Sequence, residues 1–301
     1  MANKHVGFIG LGNMGGGMAL RLLERGVQLT VYDRRAEAVD PLRKAGAAAV
    51  NSPREVADAA DIVFASLPSL DASMAVALGS DGVVHGKAIK VYVETSTLGT
   101  TTVAAIDKDL SAAGKGFLGV PVSGGPLRAR DGTLSALASG AKPAFDIVRA
   151  TLDLIATNVF YLSEQADASQ IAKLINNHVS SAGRLAVLEG LAMAEKSGID
   201  LKVMNDVFNA SSGRNYTITH KVPAAILTGS FAYNGPLTIA LKDEALLLEE
   251  AARRGIPLWI APRVLETFRE AAAAGYRDKD GMRVYQYMHS QTCEPSDDIP
   301  K

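Results

Sequence analysis

The sequence predicts an α/β amino-terminal domain joined by one long helix to an all-α carboxy-terminal domain. Three observations carry that expectation. An apolar strand runs into spaced glycines near the start, short β-rich runs alternate with alanine-rich helical stretches up to residue 164, and strand signal is absent beyond it. The expected division is 1–164 and 165–301, in keeping with a soft prior of ~150 residues per domain.

The first strand, Val6–Ile9, leads into Gly10-Leu11-Gly12-Asn13-Met14-Gly15, and a helical segment follows to Gly26. A second strand, Leu29–Tyr32, ends on Asp33, 23 residues after Gly10. The runs Asp61–Ser66, Lys90–Val93 and Phe117–Val120 continue the alternation, which argues for βαβ units and a mostly parallel sheet. Thr133–Ser139 and Asn158–Leu162 are expected as further strands, antiparallel, at the edge. From Gln165 to Lys196 there is no proline, and Ile171, Leu174, Ile175, Leu185, Leu188 and Leu191 recur at helical spacing. At ~1.5 Å per residue such a helix extends roughly 45 Å, long enough to link two domains. Further helices are expected at 201–210, 222–227, 237–254 and 260–274. The polar stretch Gln291–Lys301 is expected to fray.

Strand, G-x-G-x-x-G, helix and acid together form a Rossmann-type dinucleotide fingerprint. Gly10 permits the tight turn, Gly12 lets backbone approach a pyrophosphate, and Gly15 lets helix pack on strand. The helix N-terminus offers unpaired N–H groups to phosphate, with Leu11, Asn13 and Met14 lining the same turn. Asp33 is placed to accept from the ribose hydroxyls, which favours NAD. Arg34 and Arg35 pull the other way, since a guanidinium could pair with the 2′-phosphate of NADP.

Composition excludes several classes. With 31 basic and 32 acidic residues the formal charge is 31 − 32 = −1, and no basic tract suggests nucleic acid. Cys293 is the only cysteine, which excludes an internal disulfide and a thiolate metal site. His5, His85, His220 and His289 show no paired metal-ligand spacing, so no metal is expected. No signal-peptide pattern precedes Val6 and no apolar run nears the ~18 residues that span a bilayer, so a cytoplasmic protein is expected.

Ser66-Leu67-Pro68-Ser69 and Glu94-Thr95-Ser96-Thr97 follow parallel strands, and ligands in doubly wound sheets lie at the carboxyl ends of strands. Leu67, Pro68, Ser96 and Thr97 are therefore cofactor candidates, although Ser and Thr also serve as ordinary helix caps there. Pro121-Val122-Ser123-Gly124-Gly125-Pro126 can expose consecutive N–H groups toward one point, a nest for a carboxylate. Lys173 is the candidate for proton transfer. It lies four residues before Asn177 on one helix face, among Ile171, Ala172, Leu174 and Ile175, where no clearly solvated face remains. Burial would lower the pKa of such a lysine toward working pH, as acid/base chemistry on an alcohol or carbonyl requires.

Taken in order, Gly10-Leu-Gly-Asn-Met-Gly15, Pro121-Val-Ser-Gly-Gly125, Lys173-Leu-Ile-Asn-Asn177 and Leu241-Lys242-Asp243 resemble the β-hydroxyacid dehydrogenase family over nearly the whole chain. The resemblance implies that Ser123, Gly124 and Gly125 hold the substrate carboxylate and that Lys173 is the acid/base. It further implies that Asn177 orients substrate, that Lys242 approaches the nicotinamide side of the cofactor, and that the protein is a homodimer or homotetramer. There are departures. Gly119 stands where the family has aspartate, which bears on substrate choice, while Gly17 replaces a proline and Asp167 and Ser169 replace two glycines. His178 points roughly 100° away from Asn177 on the helix, which favours packing or an interface.

The expected function is hydride transfer between NAD, or NADP, and a small 3-hydroxy carboxylic acid or its semialdehyde. An imine reductase and a noncatalytic dinucleotide sensor are the alternatives, and the Lys173–Asn177 pair counts against both.

Overall fold

The computed structural model describes residues 5–233 and 235–291. Cys293 and all of the expected fraying stretch except Gln291 lie outside the described residues. The chain forms two compact units, Met1–Lys173 and Leu174–Lys301.

In the amino-terminal unit, strands and helices alternate as the apolar pattern requires. The order is β1 (Val6–Ile9), α1 (Asn13–Glu24), β2 (Leu29–Tyr32), α2 (Ala36–Lys44), β3 (Ala48–Ala49), α3 (Pro53–Ala59), β4 (Ile62–Ala65), α4 (Leu70–Leu78), β5 (Val91–Glu94), α5 (Thr100–Ala112) and β6 (Gly116–Gly119). Then come β7 (Val122–Ser123), α6 (Gly125–Asp131), β8 (Leu134–Gly140), α7 (Lys142–Ile155) and β9 (Ala156–Ser163). The sheet order is β3-β2-β1-β4-β5-β6-β8-β7, with β9 also on β8. Strands β3 to β6 are parallel, and β8 runs antiparallel to β6 and β7.

Alternate residues feed two cores. Phe8, Phe64, Val91, Val93 and Leu118 pack on one face with Met18 and Leu22 of α1 and Val148 and Leu152 of α7. Ile9, Val63, Ala65, Tyr92 and Phe117 pack on the other with Val56 of α3 and Val103, Ile106 and Leu110 of α5. Helices on both faces are what a sheet with continuous apolar strands demands. Phe8 and Phe64 stack with ring centroids 5.8 Å apart, tying β1 to β4.

Register places the site. Ile9 pairs with Tyr32 and Ala65, Ala65 with Glu94, and Glu94 with Gly119. One row across the sheet therefore ends five strands together, and Gly10, Asp33, Ser66, Thr95 and Val120 leave along the same carboxyl edge.

Both later strands run against the parallel ones, as expected: β8 is antiparallel to β6, and β9 is parallel to β8 because α7 carries the chain back over the sheet as a crossover instead of a hairpin. The strands β3 and β7 were not expected, since two residues are too short to show a period.

The long helix α8 spans Ala168–Lys196, 29 residues or about 43 Å, and starts three residues later than its pattern suggested. Its first hydrogen bonds are accepted by the carbonyl of Asp167, from Gln170 and Ile171, so the helix opens there. In the carboxy-terminal unit its remainder is followed by α9 (Leu201–Ala210), a π-helix (Thr217–Ile226), α10 (Leu237–Arg253), α11 (Ala261–Ala271) and α12 (Val284–Ser290). Leu185, Leu188 and Leu191 of α8 form the core with Ile218, Val222, Leu237 and Phe268.

The expected helix at 222–227 is instead the wider π-helix. Pro223 lies inside it, lacks an N–H and would clash with a carbonyl one α-turn back, so the turn opens and Leu227 N–H reaches the carbonyl of Val222. The helix expected to run to 274 ends at Ala271 and continues as a π-turn to Tyr276. No helix of the described residues is long and apolar enough to cross a membrane.

Candidate active site

The glycine loop separates two needs. At Gly10, with φ +85°, a Cβ would lie 2.3 Å from the carbonyl oxygen of Ser66, and at Gly15 a Cβ would lie 1.9 Å from the carbonyl oxygen of Gly10. Both positions are filled by the protein itself. At Gly12, which caps α1, the nearest group to a Cβ is Arg35 Nη2 at 4.0 Å. The space there is open.

α1 has no side-chain N-cap and no acid in its first turn, so the N–H groups of Asn13, Met14 and Gly15 are left for an outside acceptor. An open cradle at a positive helix end fits the pyrophosphate of a dinucleotide. Asp33 Oδ2 accepts from Leu11 N–H at 2.7 Å, while Oδ1 accepts from Arg35 N–H at 2.9 Å. Burial tends to raise the Asp33 pKa, but the backbone donors of Arg35 and Leu11 and the Arg35 guanidinium outweigh it, and the net shift is downward. The carboxylate is thus held ionised at the edge of the loop, beside an exposed Arg34.

The two strand-end segments differ in kind. Ser69 caps α4 by accepting from Ala72 N–H, so there the ordinary capping role applies. Ser96 does not cap a helix. Its Oγ accepts from Leu67 N–H at 2.7 Å, which locks the Leu67-Pro68 turn to the Ser96-Thr97 turn. Beneath them Glu94 is fully buried, accepting from Ser96 N–H at 2.9 Å and from Tyr92 OH at 3.2 Å. Burial raises its pKa despite the donors of Ser96, Ser73 and Tyr92. Gln170 of α8 accepts from Leu98 N–H and donates to the Ser96 carbonyl, joining the loop to the start of the helix that carries Lys173. Gln170 was not among the residues expected from sequence, where a glutamine on a helix gives no signal.

Ser123 ends β7 against Ser135, and Gly124 caps the short α6. Gly124 has φ +141° and Gly125 φ +81°, backbone conformations that favour glycine. No atom lies within 4 Å of a Cβ at Gly125, so its surface is open.

At the base of α8, Ser139 Oγ donates to the Ala166 carbonyl at 2.8 Å and lies 2.7 Å from Ser169 Oγ. A Cβ at Gly119 would fall 2.8 Å from both Ser169 Oγ and the Ala166 oxygen. Gly119 and Ser169 are therefore one coupled departure, because the serine hydroxyl occupies the space that a larger residue at 119 would need. Gly17 has a similar cause: α6 lies against it, with Arg130 N and Ala129 Cβ 3.2 and 3.3 Å from a Cβ there.

Lys173 is 8% exposed and Leu174 is 1% exposed, whereas Ile175 is 52% exposed. The expectation of no solvated face holds for the lysine and fails for Ile175, which lies on another side of the helix. One turn after Lys173, Asn177 Nδ2 donates to Asp243 Oδ2 at 2.6 Å. Asp243 Oδ1 in turn lies 2.8 Å from Lys242 Nζ. Two residues singled out separately, Asn177 and Lys242, thus share one buried carboxylate on α10. His178 pairs with Glu244 at 2.9 Å, a packing contact between α8 and α10. Burial raises the Glu244 pKa despite this histidine.

Residues 5–163 match the family described as the NAD binding domain of 6-phosphogluconate dehydrogenase. Residues 168–288 match that described as NAD-binding of NADP-dependent 3-hydroxyisobutyrate dehydrogenase. The chain is 30% identical to the mitochondrial 3-hydroxyisobutyrate dehydrogenase of Mus musculus, covering 97% of this chain and 89% of that protein. It is 32% identical to the chloroplastic glyoxylate/succinic semialdehyde reductase 2 of Arabidopsis thaliana, covering 94% and 79%. The crystal structure of a 3-hydroxyisobutyrate dehydrogenase from Salmonella typhimurium superposes with a TM-score of 0.86 at 29% identity, covering 94% of this chain and 99% of that one. A glycine cradle shaped for a dinucleotide, followed by family matches along almost the whole sequence, leads to one conclusion: the chain belongs to the β-hydroxyacid dehydrogenase family.

Proposed function

We propose that the protein is an NAD(P)-dependent dehydrogenase that moves a hydride between the cofactor and a small 3-hydroxy carboxylic acid or its semialdehyde. The observation that carries the reading is the buried Lys173 one helical turn before Asn177, with Asp243 and Lys242 fixing the asparagine. The names of the relatives supply the substrate class.

Gly10, Leu11, Gly12, Asn13, Met14, Gly15, Asp33 and Arg34 hold the adenosine and pyrophosphate part, and Leu67, Pro68, Ser96, Thr97 and Lys242 the remainder. When bound, the nicotinamide supplies the hydride acceptor or donor. Ser123 and the N–H groups of Gly124 and Gly125 receive the substrate carboxylate, and Asn177 orients the reacting hydroxyl. On oxidation, Lys173 Nζ takes the hydroxyl proton as the C–H hydride leaves. On reduction it returns that proton to the carbonyl oxygen. Residues 1–164 serve the dinucleotide, and residues 165–301 serve substrate and assembly as a homodimer or homotetramer in the cytoplasm. Asp33 makes NAD the preferred form.

An imine reductase would not need a lysine to collect a hydroxyl proton, and a dinucleotide sensor would need neither Lys173 nor Asn177. Cofactor reduction and oxidation with 3-hydroxy acids, semialdehydes and cyclic imines tests the reading. Turnover confined to hydroxy acids and semialdehydes is expected, whereas turnover of cyclic imines alone, or of nothing, contradicts it.

A further inference from the structure

A cavity of about 150 Å³ lies within the carboxy-terminal unit, lined by side chains of α8, the π-helix and α10. Asn177, Ser180, Ser181 and Arg184 of α8 line it, together with Lys221 of the π-helix and Asp243 of α10. Residues 177, 181 and 184 are spaced to share a helix face. A space of this size holds about a six-membered carbon ring, hence a carboxylate carried on one or two methylenes.

Arg184 is the unusual lining residue. It is only 8% exposed, and its Nε is buried with no hydrogen-bond partner among the described residues. Buried polar atoms are nearly always paired, and a guanidinium left unpaired is costly. The carboxylates around it are committed elsewhere. Asp280 accepts from the N–H groups of Tyr233, Gly235 and Met282, Glu244 pairs with His178, and Asp243 with Asn177 and Lys242.

The arginine is nevertheless firmly placed. Its guanidinium lies 5.0 Å from the Phe268 ring centroid, and a Cβ at Gly281 would fall 2.5 Å from its Nη1. Only a glycine at 281 leaves room for it. Lys221 brings a second positive charge, its ammonium 5.9 and 5.7 Å from the rings of Tyr216 and Tyr233.

We infer that this cavity binds the distal carboxylate of a dicarboxylic substrate, with Arg184 as its hydrogen-bonding partner and Lys221 as supporting charge. The inference rests on the hydroxy-acid reading, which places the reacting carbon near Lys173 and Asn177, and it names the group at the other end of the substrate. Asp280 is engaged by backbone N–H groups, Glu244 by His178 and Asp243 by Asn177 and Lys242, so the open hydrogen-bonding capacity is that of Arg184 Nε, with Lys221 beside it, which suits one carboxylate. Burial lowers the Lys221 pKa to about 8, with repulsion from Arg184 acting the same way and Asp280 opposing, and burial lowers that of Arg184 to about 10. Both cations therefore stand to gain from an incoming anion.

The test compares 3-hydroxypropionate with 2-(hydroxymethyl)succinate, which adds one carboxymethyl group, using the full-length enzyme. The dicarboxylate should have a kcat/KM about 30-fold higher, the usual worth of a charged hydrogen bond. Arg184→Met keeps the stem on Phe268 and should erase that preference. Equal or better efficiency with 3-hydroxypropionate overturns the inference and leaves the hydroxy-acid reading standing.

If neither compound is oxidised, the hydroxy-acid reading fails, and calorimetry with glutarate, butyrate and inorganic phosphate decides the cavity separately. Glutarate should bind the unmodified protein about 30-fold more tightly than butyrate. No difference between them, or phosphate binding as tightly as glutarate, overturns it. The calorimetric comparison needs no variant and therefore also covers failure of Arg184→Met to fold.

Discussion

The two units hold their candidate residues by different means. In the amino-terminal unit, backbone does the positioning: a row of strand ends, a glycine loop, and a helix N-terminus with no side-chain cap. In the carboxy-terminal unit, side chains on separate helices meet around buried charge, as Asn177, Lys242 and Asp243 do. A backbone-built site tolerates change wherever a side chain points outward and fails where a Cβ meets a carbonyl. A charge-built site responds to pH and to loss of single partners. Four sets of substitutions probe that difference, and the largest effect is expected from the glycines.

Gly15→Ala would put a Cβ 1.9 Å from the Gly10 carbonyl oxygen, so it should destabilise the protein by about 3 kcal/mol or more in denaturant unfolding. Gly12→Ala has open space and should leave unfolding unchanged, while weakening dinucleotide binding about tenfold. Equal unfolding midpoints for the two variants would break the distinction between protein-filled and ligand-facing glycines.

Gly119→Ala should cost about 1–3 kcal/mol, because the new methyl meets Ser169 Oγ and the Ala166 oxygen. In a double-mutant cycle with Ser169→Gly, at least ~0.5 kcal/mol of that cost should be relieved. Strict additivity would show that the two departures from the family pattern are unrelated.

In the carboxy-terminal unit the Lys221 pKa is lowered on folding to about 8 from 10.5. Between those values the unfolded chain binds more protons than the folded one, so stability should rise with pH. Between pH 8 and 9.5 the gain should be roughly 1–2 kcal/mol and absent in Lys221→Met, as thermal unfolding at several pH values would measure. The charges facing Lys221 are Arg184 and Asp280, and the Arg184 shift to about 10 adds only above that window. A falling or flat wild-type profile relative to the variant contradicts the sign.

The smallest effect is on cofactor choice. Asp33→Ser should raise the ratio of NADP to NAD efficiency about tenfold by removing a carboxylate beside Arg34. Higher efficiency with NADP in the unmodified protein would make the arginines dominant.

The same contrast explains what was legible in the sequence. Gly10, Gly12, Gly15 and Asp33 are close in the chain and each has a local reason, so their placement followed from spacing. The strands β1, β2, β4, β5 and β6 carried enough apolar residues to be seen. By contrast, the parallel pairing of β9 with β8 depends on the crossover made by α7, and the π-helix depends on how Pro223 is accommodated, neither of which a hydrophobic period reports. Asp243 stood in a quoted motif without a role, because its partner Asn177 is 66 residues away. Gln170, Ser139 and Arg184 look like ordinary helix or strand residues until the fold brings Ser96, Ser169 and Gly281 against them.

The central claim is that Lys173 exchanges the substrate hydroxyl proton. Its most direct test is turnover of Lys173→Ala with a 3-hydroxy acid, alongside dinucleotide affinity measured by fluorescence titration. A general acid/base is worth about 100-fold or more, so kcat should fall by at least that factor while dinucleotide affinity stays nearly intact. Turnover close to that of the unmodified enzyme would contradict the account and remove Lys173 from the chemistry.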